Sequence, residues 1–122
     1  KIPIYGNGEN IRDWLFVEDH VTGLLKVLFE GKIGEKYCIG GNQEKSNNMV
    51  VNKICEILDK RDPKKISYKT LISYVEDRLG HDKRYAIDSS KIKSDLNWVP
   101  QYSFDEGLKI TVLWYLNYFK NT

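Results

Sequence analysis

The chain has 122 residues, with 19 Lys and Arg against 17 Asp and Glu and a net charge of +2. Hydrophobic residues make up 41% and aromatic residues 12% of the sequence, a globular composition that excludes a disordered chain. The even charge balance is unlike a nucleic-acid or membrane surface, and no apolar run has membrane-spanning length. We therefore expect one domain, residues 1–122, with neither nucleic acid nor membrane as a partner.

The ends and the cysteines set further expectations. The chain opens at Lys1 and its only methionine is Met49, so we expect it to be a fragment of a larger protein. Cys38 and Cys55 both lie among apolar residues. They are too few for a disulfide framework and too far apart for a metal site. We expect buried thiols, no bound metal and a reducing, cytoplasmic location.

Extended and helical patterns alternate in the first half of the chain. Ile2–Tyr5 predicts a strand that ends in a glycine turn, and Ile11–Phe16 is again β-prone. Apolar residues then recur at helical spacing from Val17 to Leu28, and Gly31 ends this pattern. Glu35–Ile39 predicts a further strand.

The second half predicts more helix than strand. Ser46 is a suitable N-cap for a helix that Pro63 closes, and the polar stretch 61–69 predicts a solvated connection. Two short strands and two helices follow, at Ser73–Val75, Tyr85–Ile87, Ser90–Leu96 and Asp105–Phe119. We expect the three tryptophans, Trp14, Trp98 and Trp114, to lie in the core. The arrangement is α/β or α+β, with too few strands for a complete doubly wound sheet.

Known catalytic and cofactor patterns are absent from the sequence. Gly6-Asn7-Gly8 lacks the third glycine of a dinucleotide loop, and a β-prone segment rather than a helix follows it. No tyrosine is followed four residues later by lysine, and no serine lies in Gly-x-Ser-x-Gly. We expect no catalytic and no cofactor-binding residue in this chain.

Phosphate-compatible groups are present on separate segments. Arginine can hold a phosphate with two hydrogen bonds, and an asparagine beside a helix start adds neutral donors. The candidates are Arg12, Asn47, Arg78 and His81. Residue types alone leave open whether these form an anion-binding face or serve as surface ion pairs and helix caps.

The segments together resemble the dTDP-glucose 4,6-dehydratase family of the extended short-chain dehydrogenase/reductase superfamily. The resemblance covers nearly the whole chain. The residues that carry it include Pro3-Ile4-Tyr5-Gly6-x-Gly8, Ile11-Arg12-Asp13-Trp14-Leu15-x-Val17-Glu18-Asp19-His20, Gly34-Glu35-x-Tyr37-x-Ile39-Gly40-Gly41, Glu44-Lys45-x-Asn47, Asp77-Arg78-x-Gly80-His81-Asp82-x-Arg84-Tyr85 and Leu96-x-Trp98-x-Pro100. One departure is Leu79, where the family usually has proline.

The resemblance implies a role for each candidate residue. Arg12, Asn47, Arg78 and His81 correspond to contacts with the nucleotide and diphosphate of dTDP-glucose, and Pro3 and Tyr5 flank the base. It also implies an α/β fold, the C-terminal substrate-binding lobe of an extended short-chain dehydrogenase. An N-terminal Rossmann half, lacking here, would bind NAD and hold the catalytic residues. We then expect this chain alone to bind no NAD and to be inactive.

Two alternatives remain open from the sequence. The chain could be a free-standing module that binds a nucleotide or nucleotide sugar without chemistry. It could also be an interaction piece that completes a separate Rossmann half through its first helix and the segment Glu35–Ile39. The oligomeric state, including a homo-oligomer, is equally open.

Overall fold

A computed structural model describes residues 1–121 of the chain. This part is mixed α/β, as predicted, and none of its helices has both the length and the apolar character needed to span a membrane. Its strands are β1 (Ile2–Tyr5), β2 (Ile11–Asp13), β3 (Glu44–Ser46), β4 (Ile72–Val75) and β5 (Arg84–Tyr85). Its α-helices are α1 (Val17–Glu30), α2 (Asn47–Arg61), α3 (Ser90–Leu96) and α4 (Phe104–Lys120).

The strands form two small sheets. β1 pairs with β4 in parallel, while β2 lies between antiparallel β3 and parallel β5. Side chains alternate along a strand, so Ile4 of β1 faces inwards while its neighbours in the sequence face outwards. Ile4 packs with Val51 and Cys55 of α2 in a first core cluster. Burial raises the pKa of the Cys55 thiol, which therefore stays protonated and serves as a packing group.

A second core cluster joins α3 to α1. Ile92, Leu96 and Trp98 are its buried members, and Val27 of α1 packs against them. The indole N–H of Trp98 donates a hydrogen bond of 3.1 Å to the hydroxyl of Thr22. This bond satisfies the polar atom of a buried tryptophan and fixes α1 against the residues that follow α3.

Local sequence sets the helix ends. The Ser46 hydroxyl accepts a hydrogen bond from the backbone N–H of Met49, which confirms the predicted N-cap of α2. At α4, Ser103 and Glu106 form a reciprocal capping box. α3 ends where Asn97 adopts the left-handed conformation at a φ of 51°, a role that asparagine tolerates well.

Several sequence predictions are wrong. Glu35–Ile39 forms no strand, because no described strand lies alongside to pair with it. Cys38 in that segment is exposed rather than buried for the same reason. Trp114 is 58% exposed, since α4 turns its other face towards the protein. In the stretch predicted as a solvated connection, Tyr68 begins a 3₁₀ turn, Tyr68–Leu71, and packs on the first core cluster.

The apolar stripe of α1 faces away from both clusters. The residues of α1 that are buried are Asp19 and Gly23. A Cβ on Gly23 would come 3.2 Å from the Trp98 ring, so the glycine lets the helix approach closely. The large apolar side chains on the opposite side are 46–77% exposed; they are Val17, Val21, Leu24, Leu25, Leu28 and Phe29.

Candidate functional site

A buried asparagine joins the segments that carry the candidate residues. Asn10 is only 7% exposed. Its side-chain N–H donates a hydrogen bond of 3.2 Å to the backbone carbonyl of Asp82. Its backbone carbonyl accepts a hydrogen bond of 3.1 Å from the backbone N–H of Asn47. The loop that contains Arg78 and the start of α2 are therefore held to the same residue. Sequence analysis did not single out Asn10, because its partner Asp82 is 72 residues away.

Arg12 lies at the centre of the three-stranded sheet. In the register of that sheet it is opposite Lys45 of β3 and Tyr85 of β5. Its guanidinium donates a hydrogen bond of 2.7 Å to the backbone carbonyl of Ile11 and one of 3.0 Å to the backbone carbonyl of Asp82. Carbonyls leave its positive charge uncompensated, and no carboxylate of residues 1–121 lies within ion-pairing distance.

Asn47 is the first residue of α2, the end of a helix that attracts anions. The turn after β1 packs closely against this end. The backbone N–H of Asn48 donates 2.9 Å to the carbonyl of Gly8. Gly8 has a φ of +72°, and a Cβ there would lie 2.2 Å from the side-chain oxygen of Asn48. Glycine is therefore required at this position on two grounds.

The loop after β4 presents a cation next to a tight turn. Arg78 is exposed, and like Arg12 it has no carboxylate partner among residues 1–121. Leu79 and Gly80 form the turn, where Gly80 has a φ of +69° and Leu79 is fully exposed. A Cβ built on Gly80 would meet no atom within 4 Å outside its chain neighbours, so the space beside this part of the backbone is open to a ligand.

His81 is held by an acidic residue that the sequence analysis did not single out. Its Nδ1 lies 2.7 Å from Oδ1 of Asp77, and its side chain is 8% exposed. The hydrogen bond with His81 holds the pKa of Asp77 below its usual range. A carboxylate four residues before a histidine was the available signal in the sequence.

Pro3 and Tyr5 lie on the outward face of β1, opposite Ser73 and Val75 of β4. Tyr5 is 51% exposed. It precedes Gly6, where a Cβ would lie 2.8 Å from Oδ2 of Asp77, so Tyr5 sits beside the loop that holds Arg78. Pro3 lies further along the strand and has no direct link to that loop.

Arg84 lies six residues after Arg78, and its charge is already paired. It donates two hydrogen bonds of 2.7 Å to the two carboxylate oxygens of Glu44. These bonds hold the pKa of Glu44 below its usual range. Arg84 therefore joins β5 to β3, whereas no carboxylate of the described residues lies within ion-pairing distance of Arg12 or Arg78.

The geometry is suited to binding an anion rather than to breaking bonds. The loop that carries Arg78 and the start of α2 are both tied to Asn10, and Arg12 lies two residues after it. The two guanidinium groups offer donors that match a phosphate. Within residues 1–121, no three His, Cys, Asp or Glu side chains converge as a metal site would require. The arrangement therefore has donor groups of the kind that a phosphate-containing ligand requires.

Comparison with known proteins identifies the class. A family model described as GDP-mannose 4,6 dehydratase matches residues 1–111, and the chain belongs to this family. Within it, the chain is 56% identical over 115 residues to the dTDP-glucose 4,6-dehydratase of Shigella flexneri. That match covers 94% of this chain and 32% of the relative, so the chain spans about a third of the length of the curated relatives it matches.

Solved structures of the same class share the fold. The crystal structure of dTDP-glucose 4,6-dehydratase from Bacillus anthracis, in complex with NAD, superposes with a TM-score of 0.86 at 45% identity. It is matched over 98% of this chain and 36% of its own. The structure of dTDP-glucose 4,6-dehydratase from Streptomyces venezuelae, also with NAD bound, superposes with a TM-score of 0.84 at 38% identity. This match covers 94% of this chain and 34% of that chain. These superpositions confirm the predicted α/β fold.

Proposed function

We propose that residues 1–122 are the C-terminal substrate-binding region of an NAD-dependent dTDP-glucose 4,6-dehydratase. The whole enzyme would convert dTDP-glucose to dTDP-4-keto-6-deoxyglucose and water. The observation that carries this proposal is the pair of uncompensated arginines, Arg12 and Arg78, tied together through Asp82 and its loop. The names of the relatives, at 51–56% identity, supply the nucleotide and the sugar.

The described residues suggest how a nucleoside diphosphate would be held. Arg12 and Arg78 each present a planar fork that matches two phosphate oxygens. The side-chain amide of Asn47, at the start of α2, adds a neutral donor, and His81 adds a ring nitrogen. The aromatic side chain of Tyr5, with Pro3 on the same face of β1, offers a flat apolar surface for the base.

NAD does not fit the residues of this chain. The turn Gly6-Asn7-Gly8 leads from strand β1 to strand β2, whereas the glycine loop of a dinucleotide-binding fold leads directly into a helix that receives the pyrophosphate. The reaction that the resemblance implies would need NAD for hydride-transfer steps at C4 and C6 of the sugar. We assign these steps to the remaining two-thirds of the enzyme, and to this chain the binding and orientation of the substrate.

The remaining part of the enzyme is also the proposed partner of the α1 stripe. A row of large apolar side chains on one helix forms a continuous exposed apolar patch, whereas a single exposed leucine does not. Such a patch is typical of a docking surface. The segment 35–39, near α1, belongs to no strand of the described residues. A Rossmann domain that covered both would bury the stripe and pair the segment. An exposed free thiol at Cys38 is suited to a reducing compartment, and we propose the cytoplasm.

Kinetics of the intact protein test the substrate proposal. The protein is assayed with NAD and either dTDP-glucose or GDP-mannose, and the 4-keto-6-deoxy product is measured. We expect turnover of dTDP-glucose, and an increase in KM of about 10- to 100-fold for Arg12→Ala and Arg78→Ala, as for lost charge-assisted hydrogen bonds. The matched control is Arg61→Ala, at the opposite end of α2 from Asn47. Turnover of GDP-mannose alone would contradict the assignment.

A second arm uses residues 1–122 alone. This chain should bind dTDP in a titration but form no keto product with added NAD. Product formation by the isolated chain would show that catalytic residues are present in it. Absence of dTDP binding would show that the site needs the remaining part of the enzyme.

A further inference from the structure

We propose that Asp77 is the positioning residue for His81, fixing the ring so that Nε2 is the nitrogen presented to a diphosphate oxygen. The inference rests on the proposed function, in which His81 contacts the diphosphate. The contact that carries it is the 2.7 Å approach of Nδ1 to Oδ1 of Asp77. No hydrogen bond to Nε2 is found among residues 1–121, so that nitrogen is the one available to a ligand.

The carboxylate of Asp77 is itself held in place. Its Oδ1 also accepts a hydrogen bond of 2.9 Å from the backbone N–H of Arg78. Its Oδ2 lies against Gly6, where a Cβ would come within 2.8 Å. The backbone N–H of Gly6 in turn donates a hydrogen bond of 3.0 Å to the backbone carbonyl of Val75. The acid is therefore fixed between the end of β1 and its own loop, and it can serve as a rigid reference for the ring.

The direction of the hydrogen bond follows from the charge of the acid. The hydrogen bond with His81 lowers the pKa of Asp77, so the carboxylate is ionised at neutral pH and can only accept. The hydrogen between the two groups therefore belongs to Nδ1. In the neutral ring this leaves Nε2 as an acceptor, so the hydrogen bond to a diphosphate oxygen is made by the protonated ring, with Nε2–H as the donor.

The burial of the ring adds to this orientation. The side chain of His81 is 8% exposed although Leu79, two residues earlier, is fully exposed. A ring that is largely covered and bonded at one nitrogen has little freedom to rotate. Asp77 thus prepares His81 for binding, which reduces the ordering cost that binding would otherwise carry.

The test is a double-mutant cycle on dTDP binding by the intact protein. Asp77→Asn keeps the shape of the side chain and removes its charge. We expect it to weaken binding about tenfold, and to have no further effect when added to His81→Ala. The matched control is Glu76→Gln, which removes the same charge from the exposed neighbouring residue and should leave affinity unchanged. Equal effects of Asp77→Asn with and without His81 would overturn the proposal.

A measurement on the unaltered protein separates this inference from the proposed function. Long-range 1H–15N spectra report which ring nitrogen carries the hydrogen once the ring is neutral. We expect the Nδ1–H tautomer for His81, and a mixture of tautomers in Asp77→Asn. An Nε2–H tautomer in the unaltered protein would overturn the proposal whether or not dTDP binds. Failure of the unaltered protein to bind dTDP, with Nδ1–H observed, would refute the proposed function and leave the positioning role of Asp77 supported.

Discussion

Arg84 and Glu44 form a two-bond ion pair across the central strand of the site. Nε and Nη2 of Arg84 each donate 2.7 Å to a different carboxylate oxygen of Glu44. The two residues belong to β5 and β3, which flank β2 and its Arg12. The pair therefore fixes both neighbours of the strand that carries a proposed substrate contact.

Glu44→Gln should make stability less sensitive to acid. The bonds from Arg84 lower the pKa of Glu44 from its ordinary value of 4.5. A carboxyl whose pKa is lower in the folded state stabilises the protein above its unfolded pKa, and this contribution is lost as the pH falls through the folded value. Urea unfolding at pH 7 and pH 3 should therefore show a smaller decrease for Glu44→Gln than for the unaltered protein. An equal decrease would show that the pair contributes nothing to stability.

Asp19→Ala should be strongly destabilising. Asp19 is 1% exposed. One of its carboxylate oxygens accepts a hydrogen bond of 2.8 Å from the backbone N–H of Gln101, and the other accepts one of 3.1 Å from the backbone N–H of Tyr102. Alanine would leave two N–H groups without their partner, at a cost of about 2–4 kcal/mol in the free energy of unfolding. Urea denaturation measures this. Glu18→Ala, on the exposed neighbouring residue, is the control, and a similar loss there would refute the explanation.

The helices could be predicted from the sequence because their signals are local. α3 occupies the predicted range Ser90–Leu96, and α1, Val17–Glu30, stops where Gly31 was expected to end it. The apolar spacing of α1 was also correct. What it could not reveal is that this stripe faces outwards, because periodicity identifies an apolar face and not the surface that covers it.

The site was predicted from the sequence less completely than the helices. The resemblance drew attention to Arg12, Asn47, Arg78 and His81, and the structure links their segments through Asn10. That residue escaped notice because its role depends on contacts between distant parts of the chain. Arg84 is an arginine like Arg78 in the sequence, and only the position of Glu44, 40 residues away, shows that its charge is already compensated.

Leu79→Pro should stabilise the loop that carries Arg78. Leu79 precedes Gly80 in the turn, and proline is favoured before a glycine at φ +69° in a turn of type II. Within residues 1–121 the N–H of Leu79 makes no hydrogen bond, so proline removes none. We expect the free energy of unfolding to rise by about 0.4–1 kcal/mol through the lower entropy of the unfolded chain. Leu79→Ala is the control, and a lower stability of the proline variant would show that the turn cannot accept it.

The double variant Leu24→Gln/Leu28→Gln should leave the stability of residues 1–122 alone nearly unchanged but lower that of the intact protein. The two side chains are 50% and 73% exposed on the α1 stripe. In residues 1–122 alone, the change should reduce binding of a dye that reports exposed apolar surface and leave stability nearly unchanged, since little buried area is lost.

In the intact protein the same double variant should lower stability, because a covered leucine contributes about 1.5–3 kcal/mol. Thermal unfolding of both forms measures the difference. His20→Gln, on an exposed position of the same helix, is the control for a change that the partner surface should not detect. If the intact protein tolerated Leu24→Gln/Leu28→Gln as well as it tolerates His20→Gln, the stripe would not be the surface that the rest of the enzyme covers.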